Sequence, residues 1–294
     1  MAPVVVIHAG AGDRGARPAD ADDARRQALI EALECARACL ERGGDAIEAA
    51  HDAVVSMEDF DLFNAGRGSV LCSDGTVEMS AALMRGSDRA AGAVAGMRRT
   101  RHPISGARSL LTSRSVLLAG DSAESYAAEM GLEQLTNADF ITERQRARLA
   151  ERTPSAEGAT VGAVCLDRAG MLAAATSTGG VCGQRPGRIG DSPLIGAGTW
   201  ADTRVAVSCT GDGEAFIRSG TARHIAALIE HGARVPDAAQ RALDDVGELG
   251  GRGGLIAIDA HGNVAMPFST ELMPRGIWRR GQEPAAWIGP PAPQ

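Results

Sequence analysis

Residues 153–166 read Thr153-Pro154-Ser155-Ala156-Glu157-Gly158-Ala159-Thr160-Val161-Gly162-Ala163-Val164-Cys165-Leu166. Up to Ala159 the side chains are small or polar, and the whole stretch from about Asn137 is arginine-rich, the composition of an exposed, flexible loop. From Thr160 the chain turns apolar and reads as a buried strand. A threonine opening a strand is ordinary structure. The same junction also suits a terminal nucleophile. A threonine hydroxyl needs a base beside it, and an α-amino group titrating near about 7.7–8.0 can serve at neutral pH. That amine exists only if the chain is cut between Ala159 and Thr160.

Outward from the junction the chain alternates strands with helices. Met171–Ser177 is a second apolar run, and Asp167-Arg168-Ala169-Gly170 between the two predicts a hairpin turn. Upstream, Val4–Ile7 predicts a strand ending in His8-Ala9-Gly10-Ala11-Gly12. Leu29, Leu33, Ala36 and Leu40 then mark one face of a helix over about Ala21–Leu40, stopped by Arg42-Gly43-Gly44. Asp45 is placed to N-cap the next helix, with Ile47, Ala50, Val54 and Met57 inward. Short strands are expected between Phe63 and Gly96, and helices from Ser105 to about Leu132. Downstream, Arg204–Cys209 predicts a strand, about Glu214–His231 a helix, and Gly254–Ile258 with Asn263–Pro267 a last hairpin. Strand pairs flanked by helix pairs imply sheets covered by helices.

Three further segments carry chemistry. Thr176-Ser177-Thr178-Gly179-Gly180 sets three hydroxyls at a strand end beside a glycine pair. Arg188-Ile189-Gly190-Asp191 offers a guanidinium and a carboxylate three residues apart. They could grip the two ends of a zwitterion, or simply pair with each other. Cys209-Thr210-Gly211-Asp212-Gly213 joins a strand to a helix N-terminus, where free backbone N–H groups suit an oxyanion.

Composition narrows the function classes. The chain has 294 residues, 44% hydrophobic and 23% charged, which argues against global disorder. A formal charge of −7 argues against a nucleic-acid partner. No apolar stretch approaches the roughly 20 residues of a membrane span. No basic, cleavable leader precedes Val4, so a cytoplasmic location is expected. The six cysteines show no CxxC and no zinc spacing, which predicts buried, reduced thiols.

Taken together, these segments resemble the plant-type L-asparaginase/isoaspartyl peptidase branch of the N-terminal-nucleophile hydrolases. The resemblance rests on Asn64-Ala65-Gly66-Arg67-Gly68, Thr160–Val164, Thr176–Gly180, Pro186–Gly198, Ser208–Gly211, Gly254–Asp259 and Val264–Phe268, in order along nearly the whole chain. It implies an α+β fold, a four-layer αββα sandwich, in one domain over 1–294. It also implies self-cleavage into an α chain, 1–159, and a β chain, 160–294, with a linker over about 137–159. Thr160 would attack a β-aspartyl amide, supported by Thr178, with Thr210 and the Gly211 N–H facing the oxyanion and Asn64 nearby. Arg188 would take the substrate's α-carboxylate and Asp191 its α-amine. The substrates implied are isoaspartyl dipeptides and L-asparagine, and the αβ units would pair into a homodimer. Catalysis would need no cofactor. A structural sodium ion would rest on backbone carbonyls of Met57, Glu58, Phe60, Phe63, Ala65 and Arg67.

Several residues depart from the family pattern. Ala159 stands where Gly or Asp is usual, which is expected to slow processing, because a β-carbon restricts a strained backbone. Ala9, Ser80, Asp212 and Ser269 replace residues around the site and leave the leaving-group preference open. Two other readings are compatible with these departures: a glycosylasparaginase-like amidohydrolase, and a processing-deficient homologue that only binds.

Overall fold

Alternation along a few central strands sets the architecture. In the computed structural model, residues 1–14, 21–151 and 160–290 are described. The elements are β1 (Val4–Ala9), α1 (Ala21–Glu41), α2 (Ala46–Asp59), β2 (Met79–Arg85), β3 (Ala91–Met97), α3 (Pro103–Ser109), β4 (Leu117–Ala119), α4 (Gly120–Glu129) and α5 (Glu143–Ala150). After the junction come β5 (Val161–Leu166), β6 (Leu172–Thr178), β7 (Thr199–Ala201), β8 (Val205–Gly211), α6 (Gly213–Ser219), α7 (Thr221–Glu230), α8 (Val235–Glu248), β9 (Gly253–Asp259), β10 (Val264–Ala265), β11 (Arg275–Arg279) and β12 (Ala285–Trp287).

One sheet has the order β12-β11-β1-β5-β6-β2-β3-β4, and the second β10-β9-β8-β7. Side chains alternate faces along a strand, so each central strand serves two cores. Val5, Ile7, Val161, Ala163, Ala173 and Ala175 pack under α1 and α2. Their alternates Val4, Val6, Val164, Leu166, Leu172 and Ala174 pack between the sheets against Ala206, Ile256 and Ile258. Val205, Val207, Leu255 and Ala257 face the opposite way, toward α7 and α8. The result is the expected four layers, helix–sheet–sheet–helix. Burial on both faces explains why these strands read as continuous apolar runs.

The local signals at the first two helices act as read. Asp45 Oδ1 accepts from Glu48 N at 2.9 Å and Glu48 Oε2 from Asp45 N at 3.3 Å, a capping box opening α2. The helix expected over Glu214–His231 is instead two, α6 and α7, because Gly220 between them adopts φ +59° and breaks the ladder. The expected loop over 137–159 needs a larger correction. Residues Asn137–Phe140 form a 3-10 turn with Phe140 buried, and Thr142 N-caps α5. The buried Gln145 then donates to the Gly68 carbonyl at 2.7 Å. Polar composition misled here, since one aromatic anchor, one N-cap and one buried hydrogen bond suffice to hold a short helix. Residues 152–159, Ala159 among them, lie outside the described residues.

All six cysteines are free thiols; Cys39, Cys72, Cys165 and Cys209 are buried, whereas Cys182 is half-buried and Cys35 exposed. Among the described residues no helix is long and apolar enough to cross a membrane.

The inter-sheet layer should therefore carry much of the stability. Ile256→Ala, at a fully buried position, is expected to cost about 2–5 kcal/mol. Urea unfolding should show a lower midpoint with an unchanged slope; an unchanged midpoint would mean that the sheets do not depend on this layer.

Candidate active site

The alternation that fills the inter-sheet core also delivers the polar residues. β5 and β6 pair with Val161 opposite Ser177 and Gly162 opposite Thr176. One step further sets Thr160 beside Thr178, on the face that carries Val164 and Leu166. The Thr160 hydroxyl donates to Thr178 Oγ1 at 3.1 Å, and Thr178 Oγ1 also accepts from Gly180 N at 3.0 Å. Both threonines are buried. The intervening Ser177 points the other way, and its hydroxyl reaches Glu58 Oε1 on α2 at 2.5 Å. Burial pushes the Glu58 carboxyl up to about 8, against the pull of the Ser177 hydrogen bond.

Asn64 is brought to the site as a clamp. Its Nδ2 donates to the Gly180 carbonyl at 2.7 Å, its Oδ1 accepts from Val70 N at 2.8 Å, and its carbonyl accepts from Gly179 N at 2.9 Å. A β-carbon on Gly179 would fall 2.4 Å from Asn64 Oδ1, so the turn after Thr178 requires glycine there.

Beneath Thr160 runs a network for which the sequence offered little signal. His8 lies on the inter-sheet face of β1, opposite Gly162, and its Nε2 is 2.9 Å from Ser208 Oγ. Ser208 Oγ is 2.8 Å from Thr176 Oγ1, which accepts from Thr199 Oγ1 at 2.7 Å. Thr199 Oγ1 also lies 3.0 Å from the Ser192 carbonyl, next to Asp191. Burial drives the His8 imidazole down to about 3, only partly opposed by its hydrogen bond to the Thr160 backbone, so the ring is neutral. The ring fits because residue 162 has no side chain; a β-carbon there would sit 2.0 Å from Ser208 Oγ and 2.4 Å from His8 Nε2.

Thr210, next to last in β8, lies on the same inter-sheet face, and its Oγ1 accepts from Ala11 N at 3.2 Å. Gly211 has φ +142°, and a β-carbon would lie 2.3 Å from the Arg252 carbonyl. Arg188 and Asp191 converge at the next glycine. A β-carbon on Gly213 would be 2.9 Å from Arg188 Nη2 and 3.0 Å from Asp191 Oδ1. These two residues do not pair. Arg188 instead binds Glu214 side-on, Nε to Oε1 at 2.9 Å and Nη2 to Oε2 at 2.8 Å. Asp191 is buried and its Oδ2 has no partner. Burial raises its carboxyl to about 7, although Arg188 pulls the other way.

The departures around the site fall into place locally. Ala9 is extended strand paired with Val161, and the left-handed turn is made by Gly10 at φ +99°. Ser80 Oγ accepts from Gly96 N at 3.2 Å. Asp212 Oδ2 accepts from Arg252 N at 2.8 Å, and Ser269 Oγ from Gly253 N at 3.1 Å. Both are tied into the wall behind Gly211.

The structure thus pairs the buried Thr160 and Thr178 hydroxyls at a strand start, and sets Arg188 and Asp191 apart around Gly213, just beyond Thr210 and Gly211. The sequence model of a family described as Asparaginase matches residues 1–288. The chain belongs to that family. Among similar members, the isoaspartyl peptidase of Salmonella typhimurium is 42% identical, with 97% of this chain and 98% of the relative aligned. The isoaspartyl peptidase of Escherichia coli is also 42% identical, over 97% of this chain and 95% of its own length. The human isoaspartyl peptidase/L-asparaginase is 38% identical, over 96% of this asparaginase-family chain and 95% of its own.

Crowding at Gly162 can be measured directly. Gly162→Ala is expected to lower stability by about 1–3 kcal/mol through overpacking, and Ser208→Ala in the same chain to recover part of that loss. Thermal unfolding of the two single variants and the double variant checks this; strictly additive losses would mean that the two positions do not touch.

Proposed function

We propose that this protein is a self-cleaving threonine hydrolase of β-aspartyl amide bonds, acting on isoaspartyl dipeptides and on L-asparagine. The observation that carries the reading is the buried Asp191 carboxylate with a free oxygen beside an arginine held elsewhere. An unpaired buried acid calls for a cation. The α-ammonium of an aspartyl group supplies it, while the adjoining α-carboxylate meets Arg188. The names of the relatives support the same substrate class.

The chemistry follows from the geometry. Cleavage before Thr160 would release its α-amine as the base. The Thr160 hydroxyl, oriented by Thr178, then attacks the side-chain carbonyl carbon. The developing oxyanion is received by the Thr210 hydroxyl and the Gly211 N–H. The C–N bond breaks, and the leaving ammonia or amine takes the proton from the α-amine. Water hydrolyses the resulting ester, releasing aspartate and restoring Thr160. Asn64 acts by fixing the Gly179–Gly180 turn. Neither the glycosylasparaginase reading nor the non-enzymatic one gains an observation of its own.

A structural sodium ion on the carbonyls of Met57, Glu58, Phe60, Phe63, Ala65 and Arg67 belongs to this reading. The loop fits it in one respect: Arg67 N bonds the Glu58 carbonyl at 2.8 Å and Gly66 turns at φ +51°, doubling 59–67 back on the end of α2. Such a set offers oxygen ligands only, as a hard cation prefers, and its role would be to stiffen the approach to Asn64. Pairing into a homodimer of αβ units and a cytoplasmic location complete the proposal.

Thr160→Ala should remain full-length and inactive, whereas the parent chain yields two fragments meeting at Ala159/Thr160; intact-mass spectrometry distinguishes them. Two fragments from the alanine variant would point to an external protease.

A pH profile tests the substrate cradle. Asp191 in the free enzyme titrates near about 7, so as pH falls through that value it becomes neutral and loses its hold on the ammonium. Accordingly kcat/KM for asparagine should fall more steeply than kcat on the acid side, because bound ammonium keeps the carboxylate ionised in the complex. Parallel acid limbs in kcat and kcat/KM would remove Asp191 from amine recognition.

A further inference from the structure

We infer that Glu214 is a positioning residue that keeps Arg188 and Asp191 apart, leaving each free to take one end of a zwitterionic substrate. This rests on assigning Arg188 to the α-carboxylate and Asp191 to the α-amine.

Arg188 and Asp191 lie three residues apart in one loop and border the same space above Gly213. A buried carboxylate with a half-buried guanidinium so placed ordinarily pairs with it, because the pairing offsets the carboxylate's desolvation penalty. Here no ion pair joins them, and Asp191 Oδ2 accepts no hydrogen bond. Glu214 supplies the physical reason. Its carboxylate binds the Nε–Nη2 edge of the guanidinium through two short, parallel hydrogen bonds, the strongest geometry available to arginine. The guanidinium is thereby fixed in plane and held away from Asp191. Side-on capture leaves the Nη1–Nη2 edge for a second carboxylate, as two carboxylates can share one arginine along different edges.

The surrounding residues fit such a holder. Glu214 follows Gly213 directly, so one turn of α6 provides both the open floor and the tether. Any side chain at 213 would press on Arg188 Nη2 and Asp191 Oδ1 together. The Arg188 side chain is 19% exposed and that of Glu214 69%. The arginine is thus positioned from its solvent side, and the buried side is left to the substrate. Free Glu214 would have no need of this partner, being well hydrated. Arg188 would have another choice, the Asp191 carboxylate, whose Oδ1 borders the same space above Gly213.

The consequence is a defined failure when Glu214 is removed: Arg188 turns onto Asp191 and the cradle neutralises itself. The test uses the processed enzyme, wild type and Glu214→Gln, with asparagine and β-Asp-Leu as substrates and KM, kcat and the pH dependence of kcat/KM as readouts. If wild type hydrolyses neither substrate, the functional assignment fails first and this inference falls with it. With an active wild type, Glu214→Gln is expected to raise KM by about tenfold or more while kcat changes by less than about threefold. The acid limb of kcat/KM should also move to lower pH, since Asp191 loses a neighbouring negative charge and gains a guanidinium. An unchanged or lowered KM would overturn the inference, the latter by making Glu214 a competitor for the carboxylate site. A fall in kcat with an unmoved acid limb would also overturn it, by reducing Glu214 to a support for α6. The glutamine is nearly isosteric, and equal thermal melting of the two proteins separates these results from a folding defect.

Discussion

The antiparallel register that sets Gly162 opposite Thr176 governs both the packing and the site. Successive side chains along β5 and β6 go to opposite faces, so this single alignment sends Val161, Ala163, Ala173 and Ala175 under the helices and Val164, Leu166, Leu172 and Ala174 between the sheets. At the far end of the same ladder it stacks Thr160 against Thr178. A slip of one residue would exchange every face at once, burying the hydroxyls beneath α2 and exposing apolar groups to the cleft. The large buried area on both faces therefore protects the chemistry, since no other register satisfies the two cores together.

Much of this was readable beforehand, for identifiable reasons. Apolar runs, glycine stops and the Asp45 cap are local signals, and the strands and helices they mark at β1, α1, α2, β5 and β6 occur nearly where expected. Signals that depend on tertiary partners were not readable. The strands β7, β11 and β12 carried no strong pattern of their own, and α5 is held by Phe140 and Gln145 contacts made far along the chain. At the site, Thr160, Thr178, Thr210, Arg188 and Asp191 stood out because their residue types are chemically pointed. His8, Ser208 and Glu214 did not. A histidine at a strand end, a serine in an apolar run and a glutamate in a first helical turn are commonplace, and their roles exist only through neighbours up to 200 positions away. Whether Arg188 and Asp191 pair with each other was open from spacing alone; the position of Glu214 answers it.

The buried polar groups differ in how they are satisfied. His8, Ser208, Thr176 and Thr199 form a closed chain of neutral partners ending on the Ser192 carbonyl, which links the floor under Thr160 to the loop of Asp191. Such a network is rigid because each member has its bond. Asp191 is buried and incomplete, with Oδ2 unpartnered, as is Glu58 Oε2 on the other face of β6. Placing an unsatisfied acid at the end of that satisfied chain puts its electrostatic cost at a point where a ligand can relieve it.

The strand order has a consequence for a chain severed before Thr160. The large sheet takes β1, β2, β3 and β4 from the segment preceding the cut and β5, β6, β11 and β12 from the segment following it, in the interleaved order β12-β11-β1-β5-β6-β2-β3-β4. Three ladders, β11 with β1, β1 with β5, and β6 with β2, would then join separate polypeptides. Neither piece could leave without unzipping the centre of the sheet and opening two cores, so the halves would behave as one inseparable body under native conditions. Reassembly from isolated halves would face the reverse barrier, because the large sheet is continuous in neither. Any scission at this point would therefore have to follow folding.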